Sequence, residues 1–529
     1  MTTQLQWHAP EHYNITSEME HHDADKTALK WLSETGEYEE ITYGELLKKA
    51  NQLAGGLTGL GLNKGDRVLV IIPRRIIAYV IYLACLKLGL AVIPSSEMLR
   101  SKDIAYRLRH SQARGVIAWA GVTGEVDNIS DDLPALDYRI MVSDDNPAPA
   151  SGWFVLDELM DGQDDRFEAV KTHRDDMAIL AYTSGTTGNP KGVVHSHGWG
   201  YAHLRITSPW LDIQASDTVW ATAAPGWQKW IWSPFLSVLG NGATGFVYHG
   251  SFRPGRYLQL LQQYGIQVLC CTPTEYRIMA KTDDLDQYNL SQLRSAVSAG
   301  EPLNQEVINK FQEQFNLTIR DGYGQTESTL IIGNLKDAPL RFGSMGKSIA
   351  PGLVEVIGED GVPLPPGQVG DIAVRADMPA LFHTYYHDPE RKLASINGDY
   401  FVTGDRARKD EDGYFWFEGR GDDIIISSGY TIGPFEVEEA LMKHGSVQEC
   451  AAVASPDEMR GHVVKAFVVL KAGVEGSAEL VKELQQHVKA LTAPYKYPRK
   501  IEFVQELPKT SSGKIRRVAL RELEKQSIL

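Results

Sequence analysis

The sequence has few cysteines, no long apolar run and no excess of positive charge. Only four of its 529 residues are cysteine, at positions 85, 270, 271 and 450. Disulfide scaffolds are richer in cysteine, so we expect all four to be reduced core residues of a cytosolic protein. No apolar stretch reaches the ~20 residues that a membrane-spanning helix needs. The net charge of −15 argues against nucleic acid and anionic membrane surfaces as main partners.

A secretory signal pattern is also missing from the first residues, which favours a cytoplasmic location. A hydrophobic content of 43% and a charged content of 23% are typical of a soluble globular protein. A chain of 529 residues is too long for one small core, so at least two domains are expected.

The first third of the chain has the pattern of a βαβ unit. Thr42 and Glu45 predict a capping box at the start of a helix that extends to about residue 60. Apolar runs at 68–72 and 91–94 predict buried strands, and residues 76–88 predict the helix between them. Together they predict a large α/β domain with mostly parallel sheets.

The composition changes towards the C-terminus. Near Gly361, glycine, proline and valine punctuate short strands, which predicts a β-rich subdomain at about 345–418. Alternating helix and strand patterns follow the glycine-rich stretch 419–423. We therefore predict a domain over 1–420 that contains this subdomain, and a separate C-terminal domain over 421–529.

The segment 182–192 reads Tyr-Thr-Ser-Gly-Thr-Thr-Gly-Asn-Pro-Lys-Gly and lies between two apolar runs. Glycine backbone, hydroxyl groups and a lysine are suited to gripping phosphates. The segment is not a Walker A loop, because Pro190 replaces the second glycine and Gly192 replaces the final hydroxyl residue. A flexible solvent loop is the alternative that this stretch alone leaves open.

Four later segments carry small or polar residues that suit a nucleotide pocket. Segment 298–303 would lay backbone against a base, and segment 321–327 offers an aromatic ring, a hydroxyl and a carboxylate. Asp405 could accept both hydroxyls of a ribose, and a basic run extends over 508–517. Taken singly, each has an ordinary alternative as a turn or a solvated surface.

Taken in order, these segments resemble the motifs of the AMP-forming acyl- and aryl-CoA synthetase superfamily, which includes luciferases and peptide-synthetase adenylation domains. The chain is most similar to the short- and medium-chain acyl-CoA synthetases, over nearly its whole length. The resemblance implies an α/β fold with a large N-terminal domain of layered sheets, a β-rich subdomain and a small mobile α+β domain. It also implies ATP, Mg²⁺ and CoA, with an acid activated to an acyl-adenylate before thioester formation.

The resemblance assigns nucleotide contacts along the chain. They are Thr183, Ser184, Gly185, Thr186, Thr187, Gly188, Lys191, Gly300, Glu301, Pro302, Asp321, Gly322, Tyr323, Gly324, Gln325, Asp405 and Arg420. It implies catalytic roles for Thr326 at the α-phosphate, Glu327 at Mg²⁺ and Lys514. A lysine that bridges the attacking carboxylate and the α-phosphate would neutralise the charge that their approach brings together.

For CoA, the resemblance implies a pantetheine tunnel and a nucleotide contact surface. The residues that match are Ser428, Gly429, Tyr430, Arg460, Tyr497, Pro498 and Arg499. It places the hinge of the C-terminal domain at Asp422. One departure is Thr431, where related enzymes carry arginine, so either Lys514, Lys191 and Mg²⁺ suffice or another cation takes that role.

For the acid, the resemblance places Trp227 at the pocket wall, whereas Trp230 and Trp232 could be core residues. Acetate-specific members carry tryptophan at the position of Gly324, so we expect acids longer than acetate, straight or branched. We also expect Gly324→Trp to return the preference to acetate. No acidic residue lies in 226–232, which weakens an amino-acid substrate. The pair His195 and His197 could share a metal, but a structural role is favoured.

Three other functions stay open at this point. They are an enzyme that loads its acyl group onto a separate carrier protein, a luciferase-like oxygenase, and a non-catalytic acyl-nucleotide sensor. Only about fifteen residues follow Lys514, so no fused carrier is expected, and an intact catalytic lysine argues against a sensor. Small molecules are the expected partners, and a homodimer stays an open expectation.

Overall fold

The computed structural model describes residues 7–130, 132–144, 152–183, 190–301, 303, 305–336, 338–421, 423–427, 430–457, 461–492, 495–509 and 514–526. The chain forms two compact units. The first comprises Met1–Pro339 and Asp377–Ala394, and the second comprises Leu340–Ala376 and Ser395–Leu529. The β-rich residues thus group with the C-terminal ones, which differs from the predicted division after Arg420. That boundary and the hinge at Asp422, which lies outside the described residues, stay predictions.

The strands are numbered in chain order across the described residues. Those of the first unit, up to the start of the second, are β1 (Thr27–Ser33), β2 (Tyr38–Thr42), β3 (Arg67–Ile71), β4 (Ala91–Pro94), β5 (Gly115–Trp119), β6 (Tyr138–Val142), β7 (Phe154–Val155), β8 (Met177–Thr183), β9 (Lys191–Ser196), β10 (Thr218–Ala221), β11 (Thr244–His249), β12 (Val268–Cys271), β13 (Ser295–Ala299), β14 (Ile319–Gly324) and β15 (Leu330–Gly333). The remaining strands are β16 (Gly346–Ser348), β17 (Val354–Ile357), β18 (Val369–Arg375), β19 (Thr384–Tyr385), β20 (Ile396–Asn397), β21 (Tyr400–Lys409), β22 (Tyr414–Arg420), β23 (Ile425–Ser427), β24 (Tyr430–Ile432), β25 (Val447–Asp457), β26 (Gly461–Leu470) and β27 (Lys500–Phe503).

Two mixed sheets build the first unit. One has the order β2-β1-β11-β10-β12-β13-β14-β15 and the other β19-β9-β8-β4-β3-β5-β6-β7. Their central strands pair in parallel, and antiparallel pairs occur at β1–β2, β14–β15, β8–β9 and β9–β19. The mostly parallel sheets predicted from continuous apolar runs are confirmed, with the predicted strand at 91–94 present as β4.

Helices cover the sheets of the first unit and flank those of the second. The helical segments are Ile15–Glu18 (3₁₀), Tyr43–Leu60, Ile76–Lys87, Ser101–Ser111, Ala120–Val122 (3₁₀), Thr123–Asp127, Leu156–Met160, His197–Leu211, Gln228–Trp230, Ile231–Ser237 (π), Val238–Gly240, Pro254–Gln263, Pro273–Met279, Leu285–Gln287 (3₁₀), Gln305–Phe315, Pro389–Ala394, Pro434–Met442, Ala478–Leu491 and Arg517–Gln526. The predicted capping box at Thr42 is confirmed: its side chain accepts the Glu45 N–H, and the Glu45 carboxylate accepts the Thr42 N–H at 2.9 Å.

The second unit contains an antiparallel sheet in the order β17-β18-β21-β22-β16, with β20 alongside β21. Its C-terminal part contains the hairpin β23–β24 and the sheet β25-β26-β27. A separate apolar core packs this part, with Val437, Leu441, Ala466, Val468 and Leu484 fully buried. The helices and strands that pack around this core follow the alternation of helix and strand that was predicted near the C-terminus.

All four cysteines are buried and unpaired, as predicted from their scarcity. Within the described residues, no helix combines the length and the apolar character that a membrane crossing requires.

Candidate active site

Two of the predicted nucleotide segments lie side by side in the first unit. β13 and β14 pair in parallel, with Ser298 opposite Asp321 and Ala299 opposite Gly322. The segments that follow each strand therefore leave the same edge of the sheet, which is where open α/β sheets bind ligands. Of the predicted residues, Pro302 lies outside the described ones.

The base of this edge is a polar cluster. Lys229 donates from Nζ to the Ala299 carbonyl at 2.8 Å. Burial raises the pKa of Asp321 to about 8, although the backbone N–H groups of Gly322 and Leu303 and the charge of Lys229 oppose the rise.

Neighbouring side chains fix the rest of the two segments. Glu301 accepts a hydrogen bond from the Arg277 guanidinium at 2.6 Å, which attaches its segment to the helix Pro273–Met279. The backbone N–H of Gln325 donates to Ser328 Oγ at 3.2 Å. Tyr323 pairs with Ile332 of β15 and is half-buried. These contacts hold the predicted adenine-binding segments in a defined shape.

The predicted phosphate loop joins two antiparallel strands. β8 and β9 pair up to the loop, with Thr183 opposite Lys191. The predicted residues 184–188 lie outside the described residues. Thr183 Oγ1 is buried and has no hydrogen-bond partner among the described residues. A buried hydroxyl at the mouth of a glycine-rich loop is a group that a ligand can satisfy.

Lys191 and Glu327 form an ion pair, with Nζ and Oε1 2.8 Å apart. Glu327 is only 8% exposed. The hydroxyl of Tyr385 accepts a hydrogen bond from Lys191 Nζ at 3.1 Å and donates one to Glu327 Oε1 at 3.0 Å. The phosphate-loop lysine and the carboxylate expected at Mg²⁺ therefore lie in direct contact.

In the second unit, Asp405 and Arg420 occupy paired positions on β21 and β22. Asp405 is 6% exposed, whereas half of the Arg420 side chain is exposed. The backbone N–H of Asp405 donates to Thr403 Oγ1 at 3.2 Å. Asp405 thus lies in the middle of β21, with its buried carboxylate beside Arg420 at the end of β22.

Lys514 lies shortly before the last helix, Arg517–Gln526. Lys509 and Ile515 form an isolated antiparallel bridge, and the Arg516 N–H donates to the Pro508 carbonyl at 2.8 Å. The Lys514 side chain is exposed. The bridge fixes the two ends of the segment that carries the predicted catalytic lysine.

Two cations surround the ring of Tyr497. Arg499 donates to its hydroxyl at 2.7 Å, and Lys489 Nζ lies 4.0 Å from the ring centroid. The carbonyls of Pro498 and Arg499 accept hydrogen bonds from Gln485. The cluster offers positive charge to an anion. The predicted CoA residues Ser428, Gly429 and Arg460 lie outside the described residues, as does the side chain of Tyr430.

The tryptophan-rich segment divides into core and candidate pocket. Trp230 is 1% exposed and its ring centroid lies 4.7–4.9 Å from those of Tyr82 and Tyr79. Trp232 is also buried, whereas Trp227 is half-buried. Core packing, the ordinary role of tryptophan, thus accounts for two of the three.

The backbone before Trp227 takes a conformation that requires glycine at position 226. Its φ is 97°, and a Cβ there would lie 2.6 Å from the backbone of Ser95. Only glycine fits this close approach. A π-helical segment, Ile231–Ser237, follows shortly after and contains Pro234, which has no N–H to donate.

Gly324 is needed for a reason that the sequence did not reveal. A Cβ at this position would collide with the Thr329 carbonyl oxygen and lie 3.0 Å from Leu330 Cα. A tryptophan here therefore requires the backbone of the turn 324–330 to move. The expected Gly324→Trp exchange would change the turn as well as any pocket, so it is not a clean test of acid length.

The histidine pair has the structural role that was favoured. His195 and His197 are fully buried, and His197 Nδ1 accepts the Ile15 N–H at 3.2 Å. Burial lowers the pKa of His195 to about 3 and that of His197 to about 4. Across the part of the chain that the structure describes, no group of three or more His, Cys, Asp or Glu residues could hold a metal.

Sequence reasoning missed Tyr385 and Lys229. Tyr385 lies on a strand of two residues, which is too short to give a periodicity signal. It also follows Lys191 by 194 positions, so no local pattern joins the two residues. Lys229 lies within the tryptophan-rich segment, and its neighbours drew attention to apolar packing alone. A polar residue inside an otherwise apolar segment was the only signal available for Lys229.

Comparison with known proteins places the chain in a family. The AMP-binding enzyme model matches residues 16–386, and the model of the AMP-binding enzyme C-terminal domain matches 436–514. The uncharacterized acyl–CoA ligase YtcI of Bacillus subtilis is 57% identical over 521 residues, which cover 98% of this chain and 97% of that protein. The mitochondrial acyl-coenzyme A synthetase ACSM3 of Mus musculus is 42% identical over 505 residues, covering 94% and 86%.

Among solved structures, the anthranilate CoA ligase AuaEII in complex with anthranoyl-AMP matches with a TM-score of 0.90 and 30% identity. The match covers 98% of this chain and 99% of that chain. The chain belongs to the AMP-binding enzymes. Within that family it is an AMP-forming acid–thiol ligase of the acyl-CoA synthetase type. The predicted reaction class is confirmed, and the carrier-loading and sensor alternatives are not favoured.

Proposed function

We propose that the protein activates short-to-medium-chain monocarboxylic acids, straight or branched, in the cytoplasm. ATP and the acid give an acyl-adenylate and pyrophosphate, and CoA then gives acyl-CoA and AMP. The observation that carries the site assignment is the contact of Lys191 with Glu327 beside the mouth of the 183–191 loop. Catalysis of this kind depends on charges placed around the transferring phosphate. A homodimer stays a prediction.

The roles of individual residues are part of the proposal. The 183–191 loop would bind the β- and γ-phosphates, Tyr323 would stack on adenine, and Asp405 with Arg420 would bind the ribose and the nucleotide. Lys514 would bridge the acid and the α-phosphate. Each assignment rests on a motif match together with a suitable side chain, burial or charge at that position.

The residues present fit a magnesium ion brought in with ATP. Mg²⁺ in such sites takes one or two protein carboxylates together with substrate phosphates and water. Glu327 provides one carboxylate, and Lys191, whose side chain is 25% exposed, provides a phosphate-binding cation. When bound, the ion would neutralise charge on the departing pyrophosphate. The protein residues orient the phosphates and the attacking carboxylate.

We also propose that residues 421–529 turn as one body about Asp422 between the two half-reactions. Support comes from a core of their own and from buried ion pairs. Glu438 accepts three hydrogen bonds from Arg517. Arg521 donates to Asp423, the residue after the proposed hinge. The Arg521–Asp423 bond connects the residue after the proposed hinge with the helix that follows Lys514.

The test is CoA-dependent AMP formation over a panel of acids. The panel runs from acetate to octanoate and includes isobutyrate, 2-methylbutyrate, benzoate and anthranilate. The proposal expects turnover to rise from acetate to a four-to-six-carbon acid. If acetate or an aromatic acid is preferred, the substrate assignment is wrong. If no acid gives AMP with CoA, the functional assignment itself fails.

A further inference from the structure

Tyr385 touches both charged residues of the proposed ATP site and has no role in the function described so far. Its hydroxyl accepts from Lys191 at 3.1 Å and donates to Glu327 at 3.0 Å. Lys191 Nζ also lies 4.7 Å from the centre of the tyrosine ring. The tyrosine thus contacts the Lys191 ammonium through its hydroxyl oxygen and its ring face. It contacts the Glu327 carboxylate through its hydroxyl proton.

The backbone fixes Tyr385 to both partners. On β19 it pairs with Val193 of β9, two residues after Lys191. The N–H of its neighbour Phe382 donates to the carbonyl of Glu327 at 2.7 Å. The segment therefore attaches to the strand that begins with Lys191 and to the backbone of Glu327, so the hydroxyl has little freedom to leave the pair.

A buried carboxylate needs partners. Glu327 is 8% exposed, and its carboxylate contacts Lys191 and Tyr385. When the ammonium of Lys191 turns to phosphate oxygens, the carboxylate loses its ion pair. A neutral hydroxyl can keep its hydrogen bond to Glu327 without competing for negative charge.

We propose that Tyr385 is a positioning residue for ATP: its hydroxyl keeps Glu327 in place while Lys191 exchanges the carboxylate for phosphate. The inference rests on the proposed roles of Lys191 and Glu327. In the ATP-free protein the hydroxyl holds the two charges together. With ATP it orients the carboxylate that remains.

The test is Tyr385→Phe, which removes the hydroxyl and keeps the ring. Binding of ATP is measured by calorimetry without acid, once with Mg²⁺ and once with EDTA, and steady-state constants are measured alongside. We expect ATP affinity with Mg²⁺ to fall about tenfold, because hydrogen bonds to charged groups are the stronger ones. The KM for the acid and for CoA stays at the wild-type value, and the KM for ATP rises by the same factor.

Tyr386→Phe is the matched control. Its hydroxyl donates to the Ser111 carbonyl at 3.3 Å, away from Lys191 and Glu327. This variant is expected to bind ATP as the wild type does. Equal losses in the two variants would overturn the proposal, since they would indicate a general packing effect.

A double-mutant cycle separates positioning through Glu327 from an independent contact. In the Glu327→Gln background, Tyr385→Phe should change ATP affinity less than twofold. A full tenfold loss in that background would overturn the proposal. Failure of the wild type to form acyl-CoA would instead contradict the proposed function, so the two failures are distinguishable.

Discussion

Asp405 Oδ1 and Arg420 Nε lie 4.0 Å apart across β21 and β22, with the carboxylate buried and the guanidinium half exposed. If both residues contact the nucleotide as proposed, Asp405 supplies a buried acceptor and Arg420 an exposed donor.

Asp405→Asn should raise the KM for ATP by about 10- to 100-fold, because the amide replaces a charged acceptor for the ribose hydroxyls. Steady-state kinetics with varied ATP measure the effect. Asp399→Asn is the control, since the Asp399 side chain is 75% exposed and forms a surface ion pair with Arg375. An Asp405→Asn enzyme with the wild-type KM would remove Asp405 from the ribose site.

Lys514→Ala should slow acyl-adenylate formation about 10²- to 10³-fold, because a charge aimed at the transition state is lost. Thioester formation from supplied acyl-adenylate should stay at the wild-type rate. The exposed side chain predicts an unchanged unfolding temperature. Lys509→Ala is the control: it removes the same charge from the residue that bridges to Ile515, where Lys509 pairs with Glu449 at 2.9 Å. Similar losses in both variants would contradict a specific role for Lys514.

The buried histidines predict a loss of stability in mild acid. Burial lowers the pKa of His197 and His203 to about 4, whereas an unfolded histidine titrates at its ordinary value. Between about pH 6.5 and pH 4 the unfolded state therefore binds more protons. In that window each histidine lowers the free energy of unfolding by about 1.4 kcal/mol for each unit by which the pH falls. Above about pH 6.5 the histidines leave the free energy of unfolding independent of pH.

Thermal unfolding between pH 7.5 and pH 5 measures this effect. His197→Asn keeps an acceptor for the Ile15 N–H and removes the titration, so its unfolding temperature should fall less steeply with acid. An unchanged slope in this variant would show that other groups control the acid sensitivity.

The ion pair of Arg517 with Glu438 should matter for stability. Arg517 donates to both carboxylate oxygens, at 2.9 and 2.7 Å, and Glu438 is 7% exposed. Arg517→Met leaves a buried carboxylate without its cation and should cost about 3 kcal/mol. Lys443→Met breaks an exposed pair with Glu439 and should cost less than about 0.5 kcal/mol. Urea unfolding of the two variants distinguishes them, and equal midpoints would contradict the prediction.

Gly324→Ala tests the turn between β14 and β15. The added Cβ collides with the Thr329 carbonyl, so we expect a loss of about 2 kcal/mol of stability together with slower adenylation. Gly59→Ala is the matched control, because no atom lies within 4 Å of its added Cβ and it lies within the helix Tyr43–Leu60. That variant should be as stable as the wild type or slightly more so. A Gly324→Ala protein of wild-type stability would restore the pocket interpretation.

Local patterns predicted several elements of the first unit. Continuous apolar runs located β3 and β4, and the Thr42–Glu45 spacing located a helix start, because each signal lies within a few residues. The contact of Lys191 with Glu327 joins distant segments. The family resemblance gave each residue a separate role at ATP and Mg²⁺, but their contact was not predicted. Tyr385 and the backbone requirement at Gly324 depend on chain crossings that no local pattern encodes. The grouping of the β-rich strands with the C-terminal residues depends on such crossings as well.

The late arrival of β19 has a consequence for biosynthesis. During translation β9 emerges early, but Tyr385, its neighbour across the sheet edge, follows 194 residues after Lys191. Until the ribosome has passed this point, the nascent chain lacks the strand that pairs with the edge of β9 and the tyrosine that donates to Glu327. A chain truncated between β18 and β19 would contain the phosphate loop and both charged residues, yet lack the tyrosine that joins them. The ribosome therefore completes this part of the ATP site only when about three-quarters of the chain has been made.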